Sequence, residues 1–378
     1  MASFATFGND LYTGRRQFDF IGKRKRWYAL TAVLLVLAAA GLFGRGLNFG
    51  LEFTGGSEIR VPGISNTTSY DTRAADAVTS VTKTESNLRV SKLGEGTVRV
   101  QAEKLGDGTP ATTEAVKNAL AKEFDVPATS AETSFIGPSW GESVTNKAIV
   151  ALFVFLAFVS VVLALYFRTW KMAAAALIAL IHDLFFTVGI YALTGLEVTP
   201  ATMIGFLTIL GYSIYDTVVV FDKVRENASE AFATGRRSFD QAANYAVNQM
   251  LVRSINTSVV ALLPIAAILV VGVFFIGPST LLDIAVALFI GVAVGTFSSI
   301  FIATPALTDL RRREKGVQEL ARRAKAYQKR AAGDSDEEAG HGADSSGVLT
   351  SRAASGATSG ASATMRRRGA HPAAQRDE

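Results

Sequence analysis

AIVALFVFLAFVSVVLALYF, residues 148–167, runs for twenty residues without a charged side chain. As a helix it rises about 30 Å, the thickness of a bilayer's hydrocarbon core, and a helix satisfies its own backbone hydrogen bonds where no water is available. The stretch therefore predicts a membrane-spanning helix. Five further runs have the same character, at 27–44, 172–193, 200–221, 254–275 and 281–305. A mean hydropathy of +0.27, with 49% hydrophobic and 19% charged residues over 378, agrees with a membrane protein and not with an ordinary soluble one.

Orientation follows from Lys and Arg in the short flanking segments, which collect on the cytoplasmic side. Lys23, Arg24, Lys25 and Arg26 precede the first run, Arg168 and Lys171 separate the second from the third, and Arg311, Arg312 and Arg313 follow the sixth. Lys223, Arg225, Arg236 and Arg237 lie between the fourth and fifth, whereas 195–199 and 276–280 hold neither Lys nor Arg. Both termini are expected in the cytoplasm, with 1–26 as a short leading segment. A cleaved signal peptide is the competing reading of the first run, whose residues 37–41 are mostly small. Cleavage would leave five spans and break the alternation of charge.

Residues 45–147 then face outward and are numerous enough for a small folded domain. Alternation at 57–61, helical spacing at 70–82, a hairpin of 87–93 and 97–103 across Gly94-Glu95-Gly96, a helix at 113–124 and a strand at 132–136 give the order β-α-β-β-α-β. That order is the ferredoxin-like α+β arrangement. Segment 222–253 reads as a cytoplasmic amphipathic segment, with Ser238 and Gln241 as a capping box and Phe239, Ala242, Ala243, Ala246, Val247 and Met250 on one face. Residues 306–378 begin basic and pass from about 332 into Gly, Ser, Ala and mixed charge that cannot build a core, so this tail reads as largely disordered.

The composition narrows the chemistry. With no cysteine there is neither disulfide, thiol nucleophile nor cysteine-ligated metal, and three histidines, two in the tail, do not make a usual zinc ligand set. No Walker loop is present, so ATP is not the obvious fuel. The basic residues adjoin apolar runs instead of alternating with aromatics, which argues against specific nucleic-acid binding. No cofactor is expected, and the chain does not read as an enzyme. Membrane lipid is one partner that the spans require.

An ionisable group inside a span costs at least about 2.5 to 3.5 kcal/mol on insertion scales and so points to a transport path. Asp216 lies within the fourth run and is the first candidate for a proton site, because a carboxyl taken out of water binds a proton more readily. Arg253, at the start of the fifth run, is its expected partner for gating proton release. A permanent Asp216–Arg253 ion pair that fixes helix register is the alternative, and both readings put the two side chains in contact. His182 and Asp183, in the third run, could extend a relay or simply form a hydrogen-bonded pair. Tyr212, Tyr215 and Asn256 are secondary candidates beside them. Asp222, Lys223 and Arg225 read as boundary residues. Ser254, Asn256, Thr257, Ser258, Gly291, Gly295, Ser298 and Ser299 are accounted for by close helix packing.

Six segments taken together resemble the SecF family, the smaller of the paired accessory subunits of the bacterial Sec translocon: FDFIGK at 18–23, GLNFGLEFTGG at 46–56, FIGP at 135–138, IHD at 181–183, GYSIYDTVVVFD at 211–222 and RSINTS at 253–258. The resemblance covers about 18–310. It implies half of a resistance-nodulation-division (RND) type bundle in the inner membrane, paired with SecD beside the SecYEG channel, with SecA and YajC as associates and an unfolded secreted chain as substrate. It also implies that proton-motive force drives export after ATP-driven initiation, with Asp216 carrying the proton-linked carboxylate and Arg253 the matching arginine. Two positions depart from the family pattern: Glu52 stands where Asp is expected, and Tyr215 where many relatives carry Asn. A small-molecule or lipid exporter of the RND superfamily and a non-transporting translocon scaffold are the rival readings.

Overall fold

In the computed structural model the chain is described at residues 9–83, 88–93, 96–102, 104–277 and 279–344. In chain order the elements are α1 (Arg24–Gly44), β1 (Asn48–Phe49), α2 (Leu51–Thr54), β2 (Gly56–Val61), α3 (Tyr70–Thr82), β3 (Leu88–Leu93), β4 (Thr97–Ala102), α4 (Pro110–Glu123), β5 (Glu132–Ile136), α5 (Pro138–Phe167), α6 (Trp170–Thr194), β6 (Glu197–Val198), α7 (Pro200–Thr234), α8 (Phe239–Val271), α9 (Thr280–Ser298), α10 (Thr304–Arg311) and α11 (Lys315–Asp344). Five-residue π turns at Gly272–Ile276 and Ser299–Ala303 extend α8 and join α9 to α10.

Among the described residues six helices are long and apolar enough to span a membrane: Arg24–Gly44, Ser139–Phe167, Trp170–Thr194, Pro200–Thr234, Phe239–Phe275 and Thr280–Arg311. Their ends are written locally. Thr199 and Ser279 accept hydrogen bonds from the backbone N–H groups of Thr202 and Leu282, Pro200 opens α7 where its missing N–H costs nothing, and Gly195 and Gly235 close α6 and α7 in the left-handed region. The Ser238–Gln241 capping box forms at the start of α8.

The expected segment 222–253 is not a separate element. α7 continues to Thr234 and α8 starts at Phe239, so the two make one long hairpin around Gly235. Its apolar face is buried because Val224, Ala228 and Ala231 pack against Phe239, Ala242, Ala243 and Ala246 in the main core. On the outside of that hairpin lies the segment before α1. The side-chain amide of Asn248 pairs with both backbone groups of Phe18, at 2.7 and 2.9 Å, while Asn244 accepts from the N–H groups of Phe20 and Ile21. Arg24 forms ion pairs with Asp240 and Asp309, both at 3.1 Å.

Burial sorts the spans. Half of the most apolar stretch of α6, α7 and α9 is enclosed, against 6% for α5 and 11% for the fifth span, so α6, α7 and α9 form the centre. Gly291 lets α9 approach α7 so closely that a Cβ there would overlap Ile209.

Between α1 and α5 the strand order is β3-β4-β2-β5 with every neighbouring pair antiparallel, which is the expected ferredoxin-like arrangement. Ile59, Val61, Val98 and Val100 meet Ala74 and Val78 of α3, Val116 and Leu120 of α4, and Phe124 directly after α4, in a core separate from that of the bundle. Of the expected hairpin, Asn87, Gly94, Glu95 and Glu103 lie outside the described residues. Gly56, at φ 135°, occupies a backbone conformation closed to other residues and starts β2 directly after α2. β1 pairs in parallel with β6, tying the approach to the domain to the link between α6 and α7. The final helix runs on to Asp344, past residue 332 where the tail was expected to lose structure; the Ala and Glu content of 331–339 suits a helix. Residues 345–378 lie outside the described ones.

Candidate functional site

α7 presents Ser213, Asp216, Thr217 and Val220 at helical spacing to the interior, and all four are buried. Asp216, 6% exposed, accepts a hydrogen bond from Ser254 Oγ of α8 at 2.9 Å and another from Ser299 Oγ. One turn back, Ser213 Oγ donates to Asp183 of α6, which is fully buried and also accepts from Ser298 Oγ at 2.7 Å. His182 Nδ1 lies 3.0 Å from the other Asp183 oxygen, and its ring stacks on Phe186. The consecutive residues Ser298 and Ser299 thus serve two different carboxylates.

A hydroxyl ladder continues from Ser254. Ser258 Oγ donates to the Ser254 carbonyl at 2.7 Å, lies 2.6 Å from Thr296 Oγ1 and receives Tyr212 Oη at 3.4 Å. These contacts explain the small polar residues of α8 and α9 better than packing alone. A hydroxyl both donates and accepts, so each can satisfy a carboxylate in either protonation state.

Arg253 does not join this site. Its side chain is exposed, and among the described residues no ion pair links it to Asp216. The reason is angular: successive helical residues point about 100° apart, and Ser254 takes the inward direction. Asn256 and Tyr215 also face outward, so Tyr215 is not the hydrogen-bond partner of Asp216. Asp222, at the boundary, accepts from Tyr166 Oη at 2.6 Å.

A second polar cluster joins the α+β domain to the bundle. On the sheet face opposite the domain's core, Arg99 binds Glu58 at 2.6 Å and reaches Glu197 of β6 at 3.1 Å, and Gln101 donates to both carboxylates. Arg60 Nε meets the other Glu58 oxygen at 2.5 Å. Burial pushes the Glu58 carboxyl up, but hydrogen bonding to Arg99 and the charges of Arg99 and Arg60 outweigh it and hold the group below its usual range. Beside the cluster, Glu52, Arg60, Arg99, Glu197 and Asp283 line a cavity of about 300 Å³. One Glu52 oxygen is buried there without a hydrogen-bond partner among the described residues.

The sequence matches two family descriptions, "Protein export membrane protein SecD/SecF, C-terminal" at 116–313 and "SecD/SecF GG Motif" at 40–62. The first spans more than half of the chain. The chain belongs to the SecD/SecF family. It is 42% identical to "Protein translocase subunit SecF" of Streptomyces coelicolor over 348 residues, covering 90% of this chain and 89% of that one. It is 31% identical to "Protein translocase subunit SecDF" of Thermus thermophilus, covering 80% of this chain and 40% of that one. The crystal structure of the Thermus SecDF superposes with a TM-score of 0.66 at 29% identity, over 79% of this chain and 39% of the other. This SecD/SecF-family chain is therefore a six-span membrane protein of protein transport and not a catalytic enzyme. The GG motif match contains Gly55 and Gly56, the turn that leads from α2 into the sheet.

Proposed function

We propose that this SecD/SecF-family chain pairs with a SecD subunit and uses proton-motive force, after ATP-driven initiation, to promote export of unfolded proteins through SecYEG in the bacterial plasma membrane, with both termini in the cytoplasm. SecA and YajC are the further associates of this reading. The observation that carries it is Asp216 itself, a buried carboxyl in a span whose described partners are two serine hydroxyls and no cation. Ionised and unpaired, such a group is costly in a bilayer; protonation removes that cost, so proton binding and bundle conformation are coupled. One elementary charge crossing 100 mV releases about 2.3 kcal/mol, enough to bias small steps of a translocating chain.

The outward position of Arg253 weakens the scaffold reading, which required a fixed ion pair with Asp216. It supports instead an acidic neighbour outside this chain, because a guanidinium on an apolar helix surface needs one. SecD is the natural source, since the Thermus relative carries SecD and SecF in one protein.

Asp216→Asn keeps the volume and both serine contacts but cannot titrate. With the partner present and assembly verified by co-purification, the variant should lose at least ten-fold of the gradient-dependent export of a secreted reporter. Unchanged export by an assembled Asp216→Asn complex would sink this mechanism.

A further inference from the structure

We propose that Asp183 is a second proton-holding carboxyl that works in tandem with Asp216, the two being served by the consecutive residues Ser298 and Ser299. The inference rests on the reading of Asp216 as a proton site and adds a second station to it. Asp183 is the more deeply buried of the two, and its hydroxyl partners are close chain neighbours of the Asp216 site: Ser213 lies one turn before Asp216 on α7, and Ser298 directly precedes Ser299. Movement of α9 against α6 and α7 therefore changes the donors of both carboxyls at once.

The backbone at this point is unusual. α9 ends at Ser298, and the π turn Ser299–Ala303 begins with the residue that serves Asp216. A π turn rotates less per residue than an α-helix, which lets two successive side chains face one interior, and such turns are frequent at functional sites.

The charges decide how the pair behaves. Among the described residues neither carboxyl has a Lys or Arg partner, and the titratable group in contact with Asp183 is His182 on the same helix. α7, α8 and α9 contribute hydroxyls, and Arg253 of α8 faces away. In this proposal the two carboxyls hold one proton between them, because two like charges enclosed in one bundle core disfavour each other. When that proton leaves one carboxyl and arrives on the other, the total charge is unchanged, each serine keeps one hydrogen, and no co-reactant is needed. The hydroxyls turn to accept from the neutral carboxyl and to donate to the charged one.

An Asp183 that merely orients its helix predicts something different, because an asparagine amide oxygen accepts from Ser213 and Ser298 equally well. The test uses the full chain assembled with its partner in sealed membranes, and follows gradient-driven export of a reporter as a function of pH for wild type, Asp183→Asn, Asp183→Glu and Asp216→Asn. The expected result is at least a ten-fold loss for assembled Asp183→Asn, and retained export with a displaced pH midpoint for Asp183→Glu. If Asp183→Asn exports like wild type with the same pH profile while Asp216→Asn is inactive, the inference is overturned and Asp216 stands alone. If Asp216→Asn is also active, the underlying reading falls and the inference with it. Should Asp183→Asn fail to assemble, Asp183→Glu decides, and an undisplaced midpoint overturns the proposal.

Discussion

Glu58 stands on the sheet face turned away from the domain's own helices, held by Arg99, Arg60 and Gln101. Its carboxyl titrates below the ordinary glutamate value in the folded domain, so it favours folding above the unfolded value of about 4.3 and stops doing so as pH falls through the lower folded value. Hydrogen exchange of the β2 and β4 amides should accelerate over that acidic window, and Glu58→Gln should flatten this part of the dependence. Arg99→Met leaves Glu197 without its cation and Glu58 with Arg60 alone, and is expected to cost about 3 kcal/mol in the stability of the domain, read from the same amides. At this scale the sequence was legible where charge interrupts an apolar run, which is why Asp216, His182 and Asp183 stood out. It was not legible where a side chain serves two purposes. Ser298 and Ser299 suit close packing as well as hydrogen bonding to a carboxyl, and no pattern in one helix tells which neighbour they meet. The expected Asp216–Arg253 contact failed for a related reason: position along a span gives depth, whereas contact also needs direction, and Ser254 holds the inward one.

The spans could be counted from apolar length because that is what the bilayer selects, and the α+β domain could be ordered from period-two and helical spacing bounded by turn residues. Continuity of backbone was less visible. α7 has 35 residues and so extends about 50 Å, well beyond the hydrocarbon thickness, yet only its apolar part announces itself as a span. Packing between elements is equally hidden, and glycine at the α1–α6 crossing shows it. An added Cβ at Gly189 would overlap Ala38 of α1. Gly189→Ala is therefore expected to destabilise the bundle by about 1 to 3 kcal/mol, as overpacking does elsewhere. Gly189→Ala combined with Ala38→Gly removes the closest overlap, but the new Cβ would still lie 2.8 Å from the Cα of residue 38, so the pair should recover only part of the loss. Thermal unfolding of the purified protein in detergent reads both variants; simple additivity of the two changes would show that the helices do not meet there.

Among the described residues the α+β domain meets the bundle where β1 pairs with β6, where Arg99 and Gln101 reach Glu197, and where α2 lies so close to α5 that a Cβ at Gly141 would strike the Phe53 carbonyl. The first two converge on the short link between α6 and α7, the helices that carry Asp183 and Asp216. If protonation shifts these helices against each other, as proposed, this link is the shortest route from them to the α+β domain. Because the chain contains no cysteine, a disulfide can be placed there without competitors. Asn48 and Glu197 are register partners in the parallel pair, and strands about 4.8 Å apart fall within the Cα separation that a disulfide tolerates. Asn48→Cys with Glu197→Cys should therefore close on oxidation. If the link must move for the α+β domain to follow the bundle, the oxidised complex loses the gradient-dependent export that the reduced double variant shows, the reduced form being the reference because Glu197→Cys by itself removes the Arg99 contact. A fully closed disulfide with undiminished export would mean that the domain and this link travel as one body, and the moving joint would then lie on the side of the GG turn, where α2 passes into β2.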